Sequence, residues 1–447
     1  MLKRQITLMI LLIAFISLIA MDPVSAKPEA IIPDPVLSMA TGGSNDELFN
    51  CIINLTDSGY IAAGYTESFG NNDSDFYVVK FDRYNKVVWS RAYMRPGGQS
   101  AFSICETPEG RYVVAGYTYV NESSKIDYSA IELDRNGNII WERTYGGVEN
   151  DYCFSVIPAV DGGYIMAGQS YSFSNTNSDI YVVKIDDNGN MVWDNIYGGL
   201  NKEVGHCIIP SYDGGYVIAG LTKSYGNQGG DALGNGAEDV YLISINRSGK
   251  LIWERTFGGP DYDEGYSVIY SNDGGYVIAG TTKSSGTGQA DILLIKTDAS
   301  GLSIWNNTYG GTADDGGFSV INIPEGGYMI AGMTKSYGLG SLDGIIYKIG
   351  ENGTMIEGKT FGKQEDDGIL SIAHNTDGGL AIAGYTGSGG HGGMDGYIIM
   401  FDNASVVPSV TVSATKNAPA GTEYAPLFIL TALLALSQVV YLFRARK

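Results

Sequence analysis

The chain has 447 residues, with 28 Lys and Arg set against 49 Asp and Glu, a formal net charge of −21. That balance repels nucleic acid and anionic lipid surfaces, and it favours cations, basic partners and solubility. Nucleic-acid binding is set aside on this ground.

In chain order, residues 1–26 read as an export signal. Lys3 and Arg4 open it, an apolar stretch runs over 6–20, and Val24-Ser25-Ala26 has the small residues of a cleavage site. A short lead, 27–35, follows. At the other end, 403–425 is a Ser-, Thr-, Val- and Ala-containing stalk and 426–443 (PLFILTALLALSQVVYLF) carries no charge. At ~1.5 Å per residue that segment nearly matches a hydrocarbon core of ~30 Å. Arg444, Arg446 and Lys447 form a tail over 444–447, which the positive-inside tendency places in the cytoplasm. The expected topology is a single-pass cell-surface protein with its N-terminal body outside. Removing the +1 of the signal and the +3 of the tail leaves that body near −25. Seven N-x-S/T sequons, at Asn54, Asn72, Asn121, Asn246, Asn306, Asn352 and Asn403, permit glycosylation there.

The body, 36–402, is a repeat array. DGGYVIAG at 213–220 recurs letter for letter at 273–280, with variants starting at Asp57, Glu109, Asp161, Glu325 and Asp377. Successive starts are 52, 52, 52, 60, 52 and 52 residues apart, so one supersecondary unit is written seven times. Inside a unit the apolar pattern has period two. In the third unit CFSVIP (153–158), YIMAGQS (164–170), IYVVKID (180–186) and MVWDNIY (191–197) are four strands separated by VDGG, a Gly/Ser/Asn-rich loop and DNGN. Four short antiparallel strands per unit predict a propeller blade. A Trp lies 20 residues before the motif acid at Trp89, Trp141, Trp193, Trp253 and Trp305, with Glu357 in its place before the last motif. Counting back likewise from Asp57 gives Leu37, inside VLSMATGG (36–43), which supplies the fourth strand missing after Phe401-Asp402. The expected fold is all-β: a seven-bladed β-propeller of four-stranded antiparallel blades, closed by an N-terminal strand, plus one C-terminal transmembrane helix. Closure removes open sheet edges.

The AGxT strand followed by DxYxxKxDxxGxxxW resembles the repeats of quinoprotein-like and WD40-like propellers, and overall the chain resembles repeat-rich archaeal surface propellers. The resemblance covers about 36–402 and implies a fold, since propellers host enzymes, receptors and scaffolds alike. Quinone-dependent dehydrogenases of that group typically carry a vicinal Cys pair and eight blades. Neither is present here.

Cys51 and Cys207 lie six residues before their motif acid, Cys105 four and Cys153 eight. Shared parity puts all four on one side of the first strand, in a column of small residues at the crowded axis, as free buried thiols. Asp75, Asp127, Asp179, Asp239, Asp291, Asp343 and Asp395 open every third strand. A residue needed in all seven blades is architectural, its carboxylate accepting N–H bonds from the preceding loop. The Trp column reads the same way, as wedges between blades.

Function therefore belongs to the unrepeated loops. Their face is acidic, and Asp261, Asp263, Glu264, Asp314, Asp315, Glu365, Asp366 and Asp367 are the candidate ligands for a hard cation such as Ca²⁺, against the alternative of a solvated rim. Tyr65, Tyr117, Tyr225, Tyr337 and Tyr385 lie in or near these loops, where rings beside carboxylates suit sugars. The longest loop, 227–238 in the fourth unit, is the best single place to look. His206, His374 and His391 are unpaired in sequence, and no nucleophile elbow or phosphate loop is present. The expectation is a non-catalytic binding, adhesion or surface-structural module for a glycan or protein ligand, without a cofactor. The alternative is an extracellular enzyme of glycan-cleaving or quinone-dependent type.

Overall fold

The computed structural model describes residues 32–70, 73–120, 125–174, 177–225, 237–374, 379–390 and 392–401. The expected signal, stalk, transmembrane segment and tail lie outside them, as do Asn72, Asn121, Asn403, His391 and most of the 227–238 loop. Among the described residues no helix is long and apolar enough to cross a membrane.

Among the described residues, twenty-eight strands, from β1 (Leu37–Thr41) to β28 (Asp395–Phe401), form seven four-stranded antiparallel sheets. Blades one to six span 47–93, 99–145, 151–197, 203–257, 263–309 and 315–361, each in simple sequence order. Blade seven takes three strands from 367–401 and its outermost from the N-terminus. β1 pairs with β28 from Leu37↔Met400 to Thr41↔Gly396. First strands touch first strands around the whole circle, so they surround the axis.

The core lies between blades rather than within them. Third strands are buried, in blades one, three, four, five and six along their whole length, and their β-branched and aromatic residues meet the neighbouring sheet. Each Trp packs on the motif Tyr of the next blade: Trp89 on Tyr112, Trp141 on Tyr164, Trp253 on Tyr276 and Trp305 on Tyr328, at ring separations of 6.2, 6.4, 6.2 and 6.3 Å. Trp193 sits in the same way in the cluster that contains Tyr216. The sixth boundary departs from this in both partners, Glu357 replacing Trp and Leu380 replacing Tyr. The N-terminal lead fills the gap. Ile32 is 3% exposed, packs in the cluster with Leu380, and its backbone N–H donates to Glu357 Oε2 at 2.7 Å. Lys359 holds the same segment through the Pro33 carbonyl and the Asp34 carboxylate. The packing of the propeller thus includes Ile32, four residues ahead of Val36.

The motif acid has a local task. Asp57, Asp161 and Asp273 pair with Lys80, Lys184 and Lys296 of the third strand, which joins the DGG hairpin to the K of DxYxxK.

The second-strand Gly of each AG pair explains a feature absent from simple alternation. A Cβ on Gly280 would stand 1.9 Å from the Glu264 carbonyl oxygen, and Gly64, Gly116, Gly168, Gly220, Gly332 and Gly384 meet the equivalent carbonyl at 1.8 to 2.0 Å. The first strand leans over this bare backbone and slips its register there. Pairing jumps from Gly265 to Ser267 in blade five, and the same single-residue bulge recurs in all seven blades.

The bulge corrects the cysteine assignment. It lies between positions eight and six before the motif acid, so Cys153 faces the opposite side of its strand from Cys51, Cys105 and Cys207. Cys105 and Cys153, from adjacent blades, accordingly belong to one buried cluster. All four thiols are free, and burial pushes each pKa up, that of Cys51 to about 11. The small-residue column faces the next blade's first strand. Ser103, Ser155, Ser267, Ser319 and Ser371 accept the backbone N–H of Val156, Ile208, Val320, Ile372 and Ile52 at 3.1 to 3.4 Å. Inner strand edges that would otherwise be open are stitched in this way.

Candidate functional site

The bulged residues are Asn50, Phe102, Phe154, His206, Tyr266, Phe318 and Leu370. All are half-buried. Blades two to six carry a ring here, and the rings form a chain about the axis: Phe102–Phe154 at 5.2 Å, Phe154–His206 at 5.2 Å, His206–Tyr266 at 5.1 Å and Tyr266–Phe318 at 5.0 Å. Asn50 and Leu370 leave the arc open on one side. Tyr117 extends it toward the loop face, 5.8 Å from Phe102 and 5.5 Å from Tyr152.

One acid belongs to this arc. Two residues before the bulge the blades carry Leu48, Ser100, Tyr152, Val204, Glu264, Gly316 and Gly368. Glu264 is 5% exposed, with Oε1 2.6 Å from His206 Nε2 and Oε2 accepting the hydroxyls of Tyr262 and Tyr266. Burial pushes its pKa up. The hydrogen bond and charge of His206, then Tyr266 and Lys202, more than offset this and hold it below the usual glutamate range. An ionised Glu264 requires the proton on His206 Nε2. The arrangement is a fixed negative charge at the edge of a half-exposed aromatic arc.

The eight candidate cation ligands divide three ways. Glu264 joins the axial arc. Asp261, Glu365 and Asp366 are exposed on the rim, and the half-exposed Asp314 pairs with Lys335 at 3.1 Å. Asp263, Asp315 and Asp367 turn inward at the blade boundaries, where each meets the third-strand Asp of the preceding blade. The convergence centres on the first Gly after each fourth strand. A Cβ there would stand within 2.8 Å of both acids at Gly146 (Asp127, Asp151), Gly198 (Asp179, Glu203), Gly258 (Asp239, Asp263), Gly310 (Asp291, Asp315), Gly362 (Asp343, Asp367) and Gly42 (Asp395, Glu47). At the remaining boundary Asp75 is matched by Gln99, an amide. The loop amides of Thr287 and Gly288 donate to Asp291 Oδ2, and those of Leu339 and Gly340 to Asp343 Oδ2. Among the described residues no group of three or more His, Cys, Asp or Glu side chains is placed to hold a metal ion.

Paired acids disfavour double ionisation. Burial, then Glu203, pushes the Asp179 pKa up to about 6, against a lowering hydrogen bond from Ser174. A folded pKa above the ordinary value near 3.8 contributes stability below about pH 4 that is lost as pH rises through about 6. Asp179→Asn is therefore expected to lose less stability than the parent between about pH 4.5 and pH 7.5. Thermal melts at the two values check this, and a parent-to-variant gap that does not change with pH contradicts it.

The five singled-out tyrosines also separate. Tyr65, Tyr117 and Tyr385 follow the AG pair at the axial mouth, whereas Tyr225 and Tyr337 fold outward and donate to the carbonyls of Gly198 and Gly310 at 2.8 and 3.0 Å. Asn54, Asn306 and Asn352 are exposed, and Asn246 is half-exposed in a hairpin turn. Alternation in the sequence does not mark Phe102, Phe154, Tyr266 and Phe318, and it leaves His206 unpaired. Their common position seven residues before each motif acid was the available signal, obscured because strict alternation does not anticipate the bulge.

No family model matches the chain. The regulatory protein FlaEY of Caulobacter vibrioides is 24% identical over 312 residues, covering 65% of this chain and 30% of its own length. The chain thus spans under a third of that relative. Among solved structures, a puromycin hydrolase superposes with a TM-score of 0.50 at 10% identity, covering 81% of this chain and 53% of the other. The Pan2 WD40 domain of Neurospora crassa gives 0.46 at 10% identity, covering 83% and 95%. An α-L-arabinofuranosidase from Fusarium graminearum gives 0.45 at 13% identity, covering 68% and 93%. The chain is a seven-bladed β-propeller whose structural neighbours include both hydrolases and a WD40 domain.

Proposed function

We propose that the chain is a non-catalytic binding module of the cell surface, tethered through 426–443, which takes a glycan at the axial mouth of its variable-loop face. The observation that carries this reading is the open arc of half-exposed rings beside the ionised Glu264. Sugar C–H faces stack on such rings, while carboxylate, imidazole and phenol bond the hydroxyls. Both Glu264 oxygens are already engaged by three donors, which suits a fixed recognition group. Glycoside cleavage in its common form needs two carboxyl groups flanking the bond, and the arc holds one.

The test is a glycan screen with the full chain, followed by affinity measurements on variants. Phe154→Ala and Tyr117→Ala are each expected to weaken binding about tenfold, the worth of one stacking contact of about 1–1.5 kcal/mol. Glu264→Gln is expected to weaken it similarly while leaving the melting temperature within a few degrees. A screen without hits, or variants that bind as the parent does, counts against the reading. Turnover of a hit that disappears in Glu264→Gln would favour an enzyme instead.

A further inference from the structure

Four blade boundaries pair Asp with Asp: Asp127–Asp151, Asp239–Asp263, Asp291–Asp315 and Asp343–Asp367. In each, Oδ2 of the second Asp accepts a backbone N–H, from Gly147, Gly259, Gly311 or Lys363 at 2.7–2.8 Å. The same oxygen accepts a Ser hydroxyl, from Ser172, Ser284, Ser336 or Ser388 at 2.6–2.7 Å. Its Oδ1 has no hydrogen-bond partner in any of the four, although Asp151, Asp263, Asp315 and Asp367 are only 0, 0, 3 and 1% exposed. No Lys, Arg or His among the described residues is ion-paired with these four.

The boundaries that carry Glu behave differently. Glu203 Oε1 accepts Thr222 Oγ1 at 2.7 Å and the Ser224 N–H at 3.0 Å, while Oε2 accepts the Gly199 N–H at 2.7 Å. Glu47 repeats this with Thr66, Ser68 and Gly43. One more methylene delivers both oxygens to protein donors. Among the first-strand acids the orphan oxygen follows the Asp, while across the Glu203 boundary the third-strand Asp179 also has an Oδ1 without a hydrogen-bond partner. A buried carboxylate oxygen without a donor or counter-charge is costly.

We propose that each of the four Asp–Asp boundaries binds one divalent cation of the Ca²⁺ class, four per chain. A hard cation supplies what the protein does not: positive charge between two carboxylates, and a partner for the orphan oxygen. Water completes the coordination. Two of the sites border clefts of ≈ 410 Å³ (Asp263, with Ser284) and ≈ 480 Å³ (Asp291), which gives an ion a route in.

The experiment is equilibrium dialysis of the full chain against Ca²⁺ near neutral pH, with thermal melts in Ca²⁺ and in chelator. Expected are four bound ions, affinities in the ~10⁻⁴–10⁻³ M range of extracellular modules, and a melting temperature raised by Ca²⁺. Asp263→Glu recreates the satisfied pattern of Glu203, so it is expected to fold and to bind three ions. Asp179→Asn, at a Glu boundary, is expected to keep all four. Three results would each overturn the proposal. One is absence of uptake. The second is four ions retained in both Asp263→Glu and Asp315→Glu, which would place them on the rim acids. The third is a melting temperature that rises on acidification but not with Ca²⁺, which would make a shared proton the compensating charge.

Discussion

Deleting residues 1–41 is expected to destabilise the propeller by about 4 kcal/mol relative to a chain lacking 1–31 alone. Three losses add up. Half-buried Leu37 and Met39, which cover the seventh sheet, are removed, at roughly 1 kcal/mol or more each. The pairing of β1 with β28 disappears, leaving an unpaired edge. Ile32 leaves the gap opened by Glu357 and Leu380, where no Trp–Tyr contact can replace it. The deleted chain also exposes a Tyr- and Ile-containing edge strand, so concentration-dependent aggregation is expected. Denaturant melts and light scattering of the two truncations measure both effects. Equal stability of the two would mean that the ring closes without the N-terminal strand.

Gly280→Ala is the second large effect, at about 3 kcal/mol. The new methyl would lie 1.9 Å from a backbone carbonyl, so relief requires the first strand of blade five to move rather than a side chain to rotate. That carbonyl belongs to Glu264 and the bulge it precedes aims Tyr266. The variant should therefore lose ligand affinity even where it remains folded. Gly389→Ala, where a Cβ meets nothing within 4 Å, is the control and should be near neutral. Chemical denaturation of the pair is decisive. Similar midpoints would mean that the close approach at AG is not what shapes the bulge.

The blade count and the exchange of one strand between the termini could be read from spacing, because 52-residue periodicity and the placing of VLSMATGG 20 residues before Asp57 are one-dimensional facts. The substitution of Trp by Glu357 was visible too, but its compensation by Ile32 was not. That contact joins residues 325 positions apart and depends on the ring having closed. The acidic loops were legible as a set and not as individuals. Asp261 and Asp263 differ by two letters, yet one is solvated and the other lies at 0% exposure against a neighbouring blade.

The largest divergence concerned the axis. Alternation assigns residues to strand faces only while the pairing register is unbroken. Each AG glycine removes the Cβ that would hold the first strand in register, and the resulting bulge turns one residue per blade toward the channel. Phe102, Phe154, His206, Tyr266 and Phe318 thereby become neighbours. The sequence by itself determined the ring, its number of blades and the residues that build it seven times, because those follow from repetition and local patterning. Only the tertiary structure decided where chemistry is possible. Pairing register, and the meeting of one blade's third strand with the next blade's first, are relations between distant segments that no local pattern encodes.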